Sequence, residues 1–520
     1  MMGIKKPIDK TQIEMLSLDQ LVPENHLVRK IEKAIDMRFI YPLVQELYSC
    51  DGRESIDPVV LIKLNVIQYT FGIRSMRQTI KEIEVNTAYR WYIGYGFNEK
   101  LPHFSTFSKN YTRRFEGTDL FEKIFGHVVD EIIKHGFIEE ETVFIDGTHI
   151  KANANNHKYR KEMVEKSTKY YEDELKKEIN TDREFHGKKP LKEAENPEPE
   201  MKEIKASKTD PDSGLFHKGE HKKVFAYGAN VACDQNNYVL DFELAAGNIH
   251  DSVVFPRIYE RLIQKHNDIK NMVLDAGYRT PAIARQIIND GKTPIMPYKR
   301  PMTKDGFFRK HEYVYDEYHD CYICPNNTVL KYSTPNREGF KEYKSNPVNC
   351  ANCPMIDKCT RSKNHVKVVT RHVWEEYMEQ AEDIRHTIGT KEIYSKRKET
   401  IERVFADAKE LHGMRYARHR GLGRVKMELN LLFACMNLKK LAKRLWYNVC
   451  SFDLSAGISR NVLYEFFKLI LFNKTPSDLT SRMGFCRQSD AGYILRIFNK
   501  SFLRLKQTTG YTFRQFPYPV

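Results

Sequence analysis

Three acidic residues stand where carboxylates could act together on a phosphodiester bond. Asp146 directly follows the apolar run at 142–145, Asp275 follows the apolar run NMVL, and Glu402 lies in the helical pattern RKETIERVFADAKELHG. Carboxylate oxygens suit Mg²⁺ or Mn²⁺, which keep several waters and bind substrate phosphates. Two such ions about 3.5–4 Å apart can activate an attacking oxygen and stabilise the leaving one. The three acids therefore predict metal-dependent phosphodiester chemistry, provided that the fold brings them together.

Each acid also has an ordinary structural interpretation. Reactive groups collect at strand ends in open α/β sheets, but a core strand that ends in a solvated Asp is common. On the predicted helix, Lys398, Glu402 and Lys409 are four and seven residues apart and share one side. That row predicts either solvated ion pairs or a metal-binding carboxylate flanked by cations that reach phosphates.

Half of the ten cysteines are clustered, as Cys321-x-x-Cys324, Cys350-x-x-Cys353 and Cys359. Two CxxC pairs separated by a loop of this size are typical of a tetrahedral structural zinc site. Such clustering favours metal over disulfides in a chain without secretory features. Five candidates leave one thiol spare, and buried thiols without metal are the alternative. Any zinc would be structural, because four thiolates leave no open position for substrate.

Length, composition and charge narrow the class of protein. A chain of 520 residues predicts about three or four domains of roughly 150 residues each. With 41% hydrophobic and 29% charged residues, wholesale disorder is excluded. No apolar run approaches the ~18–20 residues of a membrane span, and the first residues lack a secretory signal, so we expect a cytoplasmic protein. The net charge of +15 favours a polyanionic partner.

The elements that must position these residues begin with a helical segment, residues 1–120. Pro58 opens an apolar run that ends at Gly72, and Ser105 is placed to cap a later helix that ends in Arg113 and Arg114. Short helices on tight turns predict a helix-turn-helix-like DNA-binding domain in which the two arginines contact DNA. The alternative is a helical packing domain with a solvated basic face.

The order of the following patterns predicts an α/β fold with a mixed sheet. Within it, Asp251-Ser252 is placed to cap a helix. The predicted segments are the sheet with its helices at 121–154 and 223–298, a charged helical and flexible insertion at 155–222, a β-rich insertion with the cysteine cluster at 299–372, helices with one break at 373–446, and a tail without assigned structure at 447–520.

The C-terminal helical segment is strongly basic. From residue 411 to residue 446, nine Lys and Arg stand against the single acid Glu428. A basic surface of this density would neutralise several DNA phosphates and make binding salt-dependent, with Arg415, Arg418 and Arg420 nearest the proposed acids along the chain. A solvated basic face without a partner is the alternative.

Four motifs in order resemble the DDE transposases of bacterial insertion sequences: VFIDGTHIKANAN, the DPDSG stretch running on to YGANVACD, MVLDAGYRT, and IERVFADAKELHGMRYARHRG. More narrowly, they resemble the branch with a β-rich insertion between the second Asp and the Glu. The resemblance covers about residues 10–445. It implies an RNase H-like core that uses Mg²⁺ or Mn²⁺ to cut double-stranded DNA at terminal inverted repeats. It also implies joining of the freed 3′-hydroxyl to target DNA, by a homodimer that pairs two ends.

By motif position, the resemblance implies that Asp146, Asp275 and Glu402 are catalytic and bind the metal, and that Lys409 contacts end DNA. Related families also have a Tyr and an Arg upstream of the glutamate. At the strict spacing this sequence has Ser395 and Lys398, with Tyr394 and Arg397 each one residue early. The sequence leaves open which cation serves the phosphates, and Lys398 is the candidate at the strict spacing.

The resemblance also bears on the cysteines, since the Tyr-x-Cys-Pro cysteine of similar transposases recurs with the later cluster. It favours Cys324, Cys350, Cys353 and Cys359 as zinc ligands, with Cys321 left out. The alternative set includes Cys321, excludes Cys359 and has the more regular spacing.

Three further alternatives concern function. Related enzymes that form DNA hairpins hold a flipped base on an aromatic residue of the insertion, a position near Trp374, but a core role is favoured for this residue. A catalytically inactive, domesticated descendant would keep only DNA binding. A nuclease on the same core would cut without joining.

Overall fold

The computed structural model describes residues 2, 11–13, 15–49, 51–52, 54–165, 171–191, 201–218, 222–299 and 303–457. Residues 1–445 form one compact unit, and 446–520 form a second unit of which only the end of the last helix is described. The predicted tail from residue 458 onward lies outside the described residues. Within the described part of the chain, no helix is long and apolar enough to cross a membrane.

The N-terminal segment is helical, as its sequence pattern predicted. The helix α4, Pro58–Thr70, begins with the Asp57 side chain accepting from Val59 N and ends before Gly72, which has φ +67°. It lies at the centre of the bundle, with ten of its residues buried. The other helices are α1 Leu18–Leu21, α2 Leu27–Ala34, α3 Ile40–Val44, α5 Met76–Val85, α6 Thr87–Ile93, α7 Thr106–Asn110 and α8 Leu120–Lys134.

Replacing Gly72 by Ala is expected to destabilise the protein by about 2 kcal/mol. A Cβ at this position would lie 2.5 Å from the carbonyl oxygen of Leu411, so the change adds a backbone clash to the strain of a positive φ. Gly94→Ala is the matched control, because Gly94 has φ +78° and nothing within 4 Å of its Cβ position. Chemical denaturation should show a loss of only about 1 kcal/mol for the control. Equal losses in the two variants would contradict the clash.

The helix proposed to carry DNA-binding arginines is short. Ser105 is at the N-cap position but makes no side-chain bond to the helix, and α7 continues into a wider π-helical turn, Tyr111–Phe115. Arg113 is exposed, whereas the Arg114 guanidinium lies 4.5 Å from the Tyr48 ring and donates to Asn110. Arg114 therefore packs within the bundle, and only Arg113 of the pair is on the surface.

A six-stranded mixed sheet forms the centre of the fold. Strand β1 pairs parallel with β7 and antiparallel with β5, β7 pairs parallel with β8, and β5 also pairs antiparallel with β4 and β6. This is the RNase H-like arrangement of strands. The strands are β1 Thr142–Lys151, β4 Gly214–Lys218, β5 Lys222–Cys233, β6 Val239–Ala246, β7 Asn271–Leu274 and β8 Thr293–Ile295.

Strand β1 is longer than its apolar run predicted. The pattern placed its end at Asp146, but pairing with β5 continues to Lys151. The parallel pairing of β1 with β7 does end just before Asp146, because its last pair is Ile145 with Leu274. The polar continuation is stabilised by the ladder to β5, a partner that the apolar pattern of β1 does not reveal.

The two faces of β1 pack against different helices because alternate residues point to opposite sides. Phe144 packs in one core with Val404 of the C-terminal helix α16, Ile401–Leu411. Ile145 packs in the other with the helices α10, Asp251–Lys265, and α11, Pro281–Asn289. The sheet therefore holds Asp146 at a strand position between two helical layers.

The charged insertion is more ordered than its composition predicted. It contains a two-stranded ribbon, β2 Tyr159–Glu165 and β3 Met201–Ser207, and the helix α9, Glu172–Phe185. Leu175 and Ile179 of α9 are buried with Trp374, which is 2% exposed. A few apolar residues are enough to bury one side of α9, because they pack against Trp374 of a neighbouring segment. The burial of Trp374 confirms the core interpretation of this residue.

The β-rich insertion is a separate five-stranded antiparallel sheet with two short helices. Its strands are β9 Val314–Asp316, β10 Cys321–Ile323, β11 Val329–Pro335, β12 Phe340–Ser345 and β13 Val368–His372, and its helices are α12 Pro347–Ala351 and α13 Ile356–Cys359. Tyrosines fill its small core, and the hydroxyls of Tyr315 and Tyr343 both donate to Asp320.

The C-terminal helices are interrupted more often than the predicted single break. They are α14 Glu375–His386, α15 Thr390–Ser395, α16, and α17 Leu422–Gly457. Gly389, Gly413 and Gly421 have positive φ at these interruptions, a conformation that suits glycine and ends helices. The last helix begins against the DPDSG motif, where Asp212 Oδ2 accepts from Leu422 N at 2.8 Å.

Candidate active site

Asp146 and Asp275 lie side by side at the edge where β1 and β7 stop pairing. Asp146 follows the last parallel pair on β1, and Asp275 follows the last residue of β7. The Asp146 side chain is 17% exposed and that of Asp275 is 46% exposed. One carboxylate is therefore held mostly inside the protein, and the other reaches solvent.

The guanidinium of Arg397 bridges the two carboxylates. Its Nη2 is 2.6 Å from Asp146 Oδ2 and its Nη1 is 3.0 Å from Asp275 Oδ1. Nη1 also donates to the hydroxyl of Tyr394 at 3.0 Å, and the Arg397 side chain is only 8% exposed. The structure thus places a buried cation at the point where the two aspartates converge.

Burial raises the pKa of Asp146 to about 6. The neighbouring carboxylates of Asp275 and Asp251 add to the rise, while Arg397 and the Gly147 N–H oppose it. Desolvation disfavours an isolated charge, so a carboxylate in this position gains from a cation close by. The electrostatic setting suits cation binding.

Glu402 is not brought to this pair. It lies in the first turn of α16, its side chain is exposed, and it makes no hydrogen bond or ion pair with a described residue. The buried side of α16 is formed by Ile401, Val404 and other apolar residues. Within the described ranges, no three His, Cys, Asp or Glu side chains are arranged to hold a metal ion. Arg397, and not a third acid, contacts the two aspartates in this structure, and the catalytic role of Glu402 stays a prediction.

The predicted row of Lys398, Glu402 and Lys409 does not form. Lys398 ends a separate 3₁₀ turn, Lys396–Lys398, before α16 begins, and its side chain is exposed. Arg397, one position earlier than the strict spacing, is the residue that contacts the aspartates. Lys409 donates to Thr148 Oγ1 at 2.5 Å, on the same side of β1 as Asp146.

The three arginines after α16 have different environments. Arg415 is exposed and pairs with Glu410, and Arg420 is exposed and donates to the Asn153 carbonyl at 2.9 Å. Arg418 is 14% exposed, with its guanidinium 4.6 Å from the Tyr69 ring. Arg418 is therefore a packing residue, and the other two remain available at the surface.

Four Lys and Arg side chains of α17 form hydrogen bonds or ion pairs with other parts of the protein. Lys439 donates to the Thr70 carbonyl at 3.1 Å, and Lys440 donates to the Asn237 carbonyl. Arg424 is 3.4 Å from Glu116, and Lys426 pairs with Glu122. These four cations therefore have partners among carbonyls and acids of neighbouring segments, and DNA binding by the basic C-terminal segment stays a prediction.

The cysteine cluster is only partly gathered. Cys359 Sγ is 3.3 Å from the Tyr313 hydroxyl and interacts electrostatically with Cys324 and Cys350. Cys321 is 7% exposed on β10, where burial and two nearby aspartates raise the pKa of its thiol. The arrangement favours the ligand set without Cys321. No thiol group of three among the described residues has metal-site geometry.

Sequence reasoning missed the contact of Arg397 and the position of Asp251 beside the two aspartates. Asp251 interacts electrostatically with both Asp146 and Asp275. Its signal in the sequence is indirect: a glycine follows each aspartate closely, in IDG and DAG, and leaves room for another side chain.

Two family models match the chain, and both describe transposases. A model of a transposase domain, DUF772, matches residues 16–113, and a model of a transposase DDE domain matches residues 323–442. The second match includes Arg397 and Glu402, and neither includes Asp146 or Asp275. No curated protein matches the chain significantly.

Solved structures of Mos1 transposase are distantly similar. A Mos1 transposase paired-end complex with the left transposon end is 11% identical over 47% of this chain and 61% of that one, with a TM-score of 0.15. A Mos1 mariner paired-end complex with Mn is 10% identical over 52% and 76%, also with a TM-score of 0.15. The chain thus spans about three fifths of the first of these structures, and similarity at this level carries no argument.

The assignment rests on the two family models, which match in separate parts of the chain and agree in their description. Residues 16–113 and 323–442 are therefore similar to transposase domains, and the second of these segments is similar to a DDE domain.

Proposed function

We propose that the protein catalyses metal-dependent cleavage at the ends of an insertion sequence and transfer of the cut strand into target DNA. The observation that carries this proposal is the convergence of Asp146 and Asp275 on one buried cationic group. Two carboxylates from neighbouring strands, placed on a rigid sheet edge, could hold a divalent cation that in turn binds the phosphodiester. The transposase assignment supplies double-stranded DNA as the substrate.

The residues at the candidate site supply part of the ligand set that a divalent cation needs. Asp146 and Asp275 supply hard oxygen ligands, and the Arg397 guanidinium occupies the place where positive charge is stabilised. The proposed metal is Mg²⁺ or Mn²⁺, which Asp146 and Asp275 would hold, with Glu402 as the further carboxylate that the family resemblance implies. When bound, such an ion polarises the scissile phosphate and activates the attacking oxygen.

The chain's own side chains have distinct tasks in this proposal. Arg397 keeps the two carboxylates together before DNA binds, and its guanidinium contacts a DNA phosphate afterwards. Lys409, fixed to Thr148 beside Asp146, places a second cation near the DNA end, and exposed Lys398 contacts the backbone. Arg113, Arg415 and Arg420 extend the contact, which makes DNA binding weaken with salt.

Four further assignments remain proposals. A homodimer would pair two terminal inverted repeats, because strand transfer joins two ends to one target. The protein would act in the bacterial cytoplasm, where its DNA lies. A structural zinc ion would be held by Cys324, Cys350, Cys353 and Cys359, and Arg114 and Arg418 would act only by supporting the DNA-binding surface.

Purified protein, DNA carrying the element's terminal inverted repeats, and Mg²⁺ test the function. We expect nicks at the repeat ends and, with a target plasmid, covalent joint products on a denaturing gel. A chelator should remove both, and DNA with scrambled ends is the control for specificity. Cleavage without joint products would indicate a nuclease instead.

An inactive, domesticated DNA-binding protein is the second candidate. Glu402 is exposed and forms no metal-binding group with the aspartates among the described residues, which favours this candidate. Specific binding to the repeats without any nick in Mg²⁺ or Mn²⁺ would be the result that supports this alternative.

A further inference from the structure

Asp251 does not have the capping role that its sequence position predicted. The N-cap of α10 is His250, whose Nδ1 accepts from Ser252 N at 3.2 Å, and Asp251 is the first residue of the helix. The Asp251 carboxylate is therefore not used by the helix end. It lies instead against the edge of the sheet that carries Asp146 and Asp275.

Two glycines make room for this carboxylate. A Cβ built on Gly147 would lie 2.6 Å from Asp251 Oδ1, and one built on Gly277 would lie 3.5 Å from Asp251 Oδ2. Gly147 directly follows Asp146, and Gly277 stands two residues after Asp275. The Asp251 carboxylate thus occupies the space beside Gly147 on one of the chain segments that carry the aspartates and lies near Gly277 on the other.

A buried hydrogen-bond chain fixes Asp251 there. Asn230, which pairs with Gly147 across β1 and β5, donates to Asp251, and the Tyr278 hydroxyl donates to Asn230 Oδ1. Asn230 is 1% exposed and Tyr278 is fully buried. Among the residues that the structure describes, no Lys or Arg forms an ion pair with Asp251. The imidazoles of His149 and His250 interact electrostatically with Asp251.

We propose that Asp251 is a positioning residue for the Asp146–Asp275 pair. Its carboxylate holds the two segments at a fixed separation, and its negative charge strengthens the attraction of the pair for a divalent cation. The attraction follows because the Arg397 guanidinium pairs with Asp146 and Asp275, while Asp251 adds a third carboxylate near these two aspartates, which leaves excess negative charge at this sheet edge. The cation part of the proposal rests on the proposed function, whereas the steric part does not.

Mn²⁺ binding to the full-length protein, followed by electron paramagnetic resonance, tests the charge. Asp251→Asn keeps the shape of the side chain, and we expect it to weaken Mn²⁺ binding at least about fivefold without changing the unfolding midpoint. Asp290→Asn is the control. Asp290 also accepts a side-chain hydrogen bond, from the Tyr259 hydroxyl, but it lies at the C-terminal end of α11. Equal Mn²⁺ affinity in Asp251→Asn and the parent would overturn the electrostatic role.

A double-mutant cycle tests the contact itself. Gly147→Ala should lower the unfolding midpoint, because its methyl group collides with Asp251. Adding Asp251→Ala should restore stability but not Mn²⁺ affinity. A double variant as unstable as Gly147→Ala alone would overturn the positioning contact. If the parent protein binds no Mn²⁺, the proposed function and the charge role both fail, while the stability cycle still decides the contact.

Discussion

The Asp275→Asn variant is expected to cut transposon-end DNA at least about a thousandfold more slowly than the parent protein. A carboxylate that binds a catalytic metal cannot be replaced by a neutral amide without losing most of the charge stabilisation of the reaction. The fold should persist, because Arg397 keeps its 2.6 Å contact with Asp146, and the Asp275 side chain is 46% exposed. Single-turnover cleavage in Mg²⁺ measures the rate, and gel-shift titration measures DNA affinity, which we expect to change less than threefold.

Asp241→Asn is the matched control for this variant. Asp241 also pairs with a guanidinium, that of Arg261 at 2.7 Å, but on strand β6 away from the candidate site. Its cleavage rate should stay within a few-fold of the parent rate. If Asp275→Asn cuts as fast as Asp241→Asn, Asp275 is not part of the active site.

The sheet was predictable from local sequence because its strands are apolar and bounded by polar turns. The hairpin of β5 and β6 around the QNN turn, with Asn237 at φ +66°, follows directly from residue type. The extension of β1 to Lys151 was not predictable, since its stability comes from a partner about eighty residues away. The interruptions of the C-terminal helices were underestimated, although glycines with positive φ mark two of them: Gly389 before α15, and Gly413 and Gly421 between α16 and α17.

The proximity of Asp146 and Asp275 was predictable from the sequence, because parallel strands bring the residues that follow them to one edge of the sheet. The role of Arg397 required the structure. Helical spacing made Lys398 the expected cation, but the chain forms a 3₁₀ turn before α16 and rotates the previous residue inward. The cation that contacts the aspartates therefore lies one position before the one that the spacing indicated, and the DNA contact of Lys398 stays a prediction.

Arg397→Met tests whether this cation stands in for the metal. Without divalent ions, we expect the free energy of unfolding to fall by about 3 kcal/mol, since the buried Asp146 loses its partner. The contact with the more exposed Asp275 should add little to that loss, because solvent screens it. Arg403→Met is the control: Arg403 is 68% exposed and 4.0 Å from Asp407, so its loss should cost less than about 1 kcal/mol.

Adding millimolar Mn²⁺ should restore more stability to Arg397→Met than it adds to the parent protein, because a ligand that binds the native state stabilises it. In the parent, the guanidinium already offsets part of the charge of the two carboxylates and competes with the ion. Urea denaturation with chelator and with Mn²⁺ measures the two differences. Equal gains in both proteins would mean that Arg397 and the cation do not share a site, and that the arginine is a structural partner of Asp146 throughout the reaction.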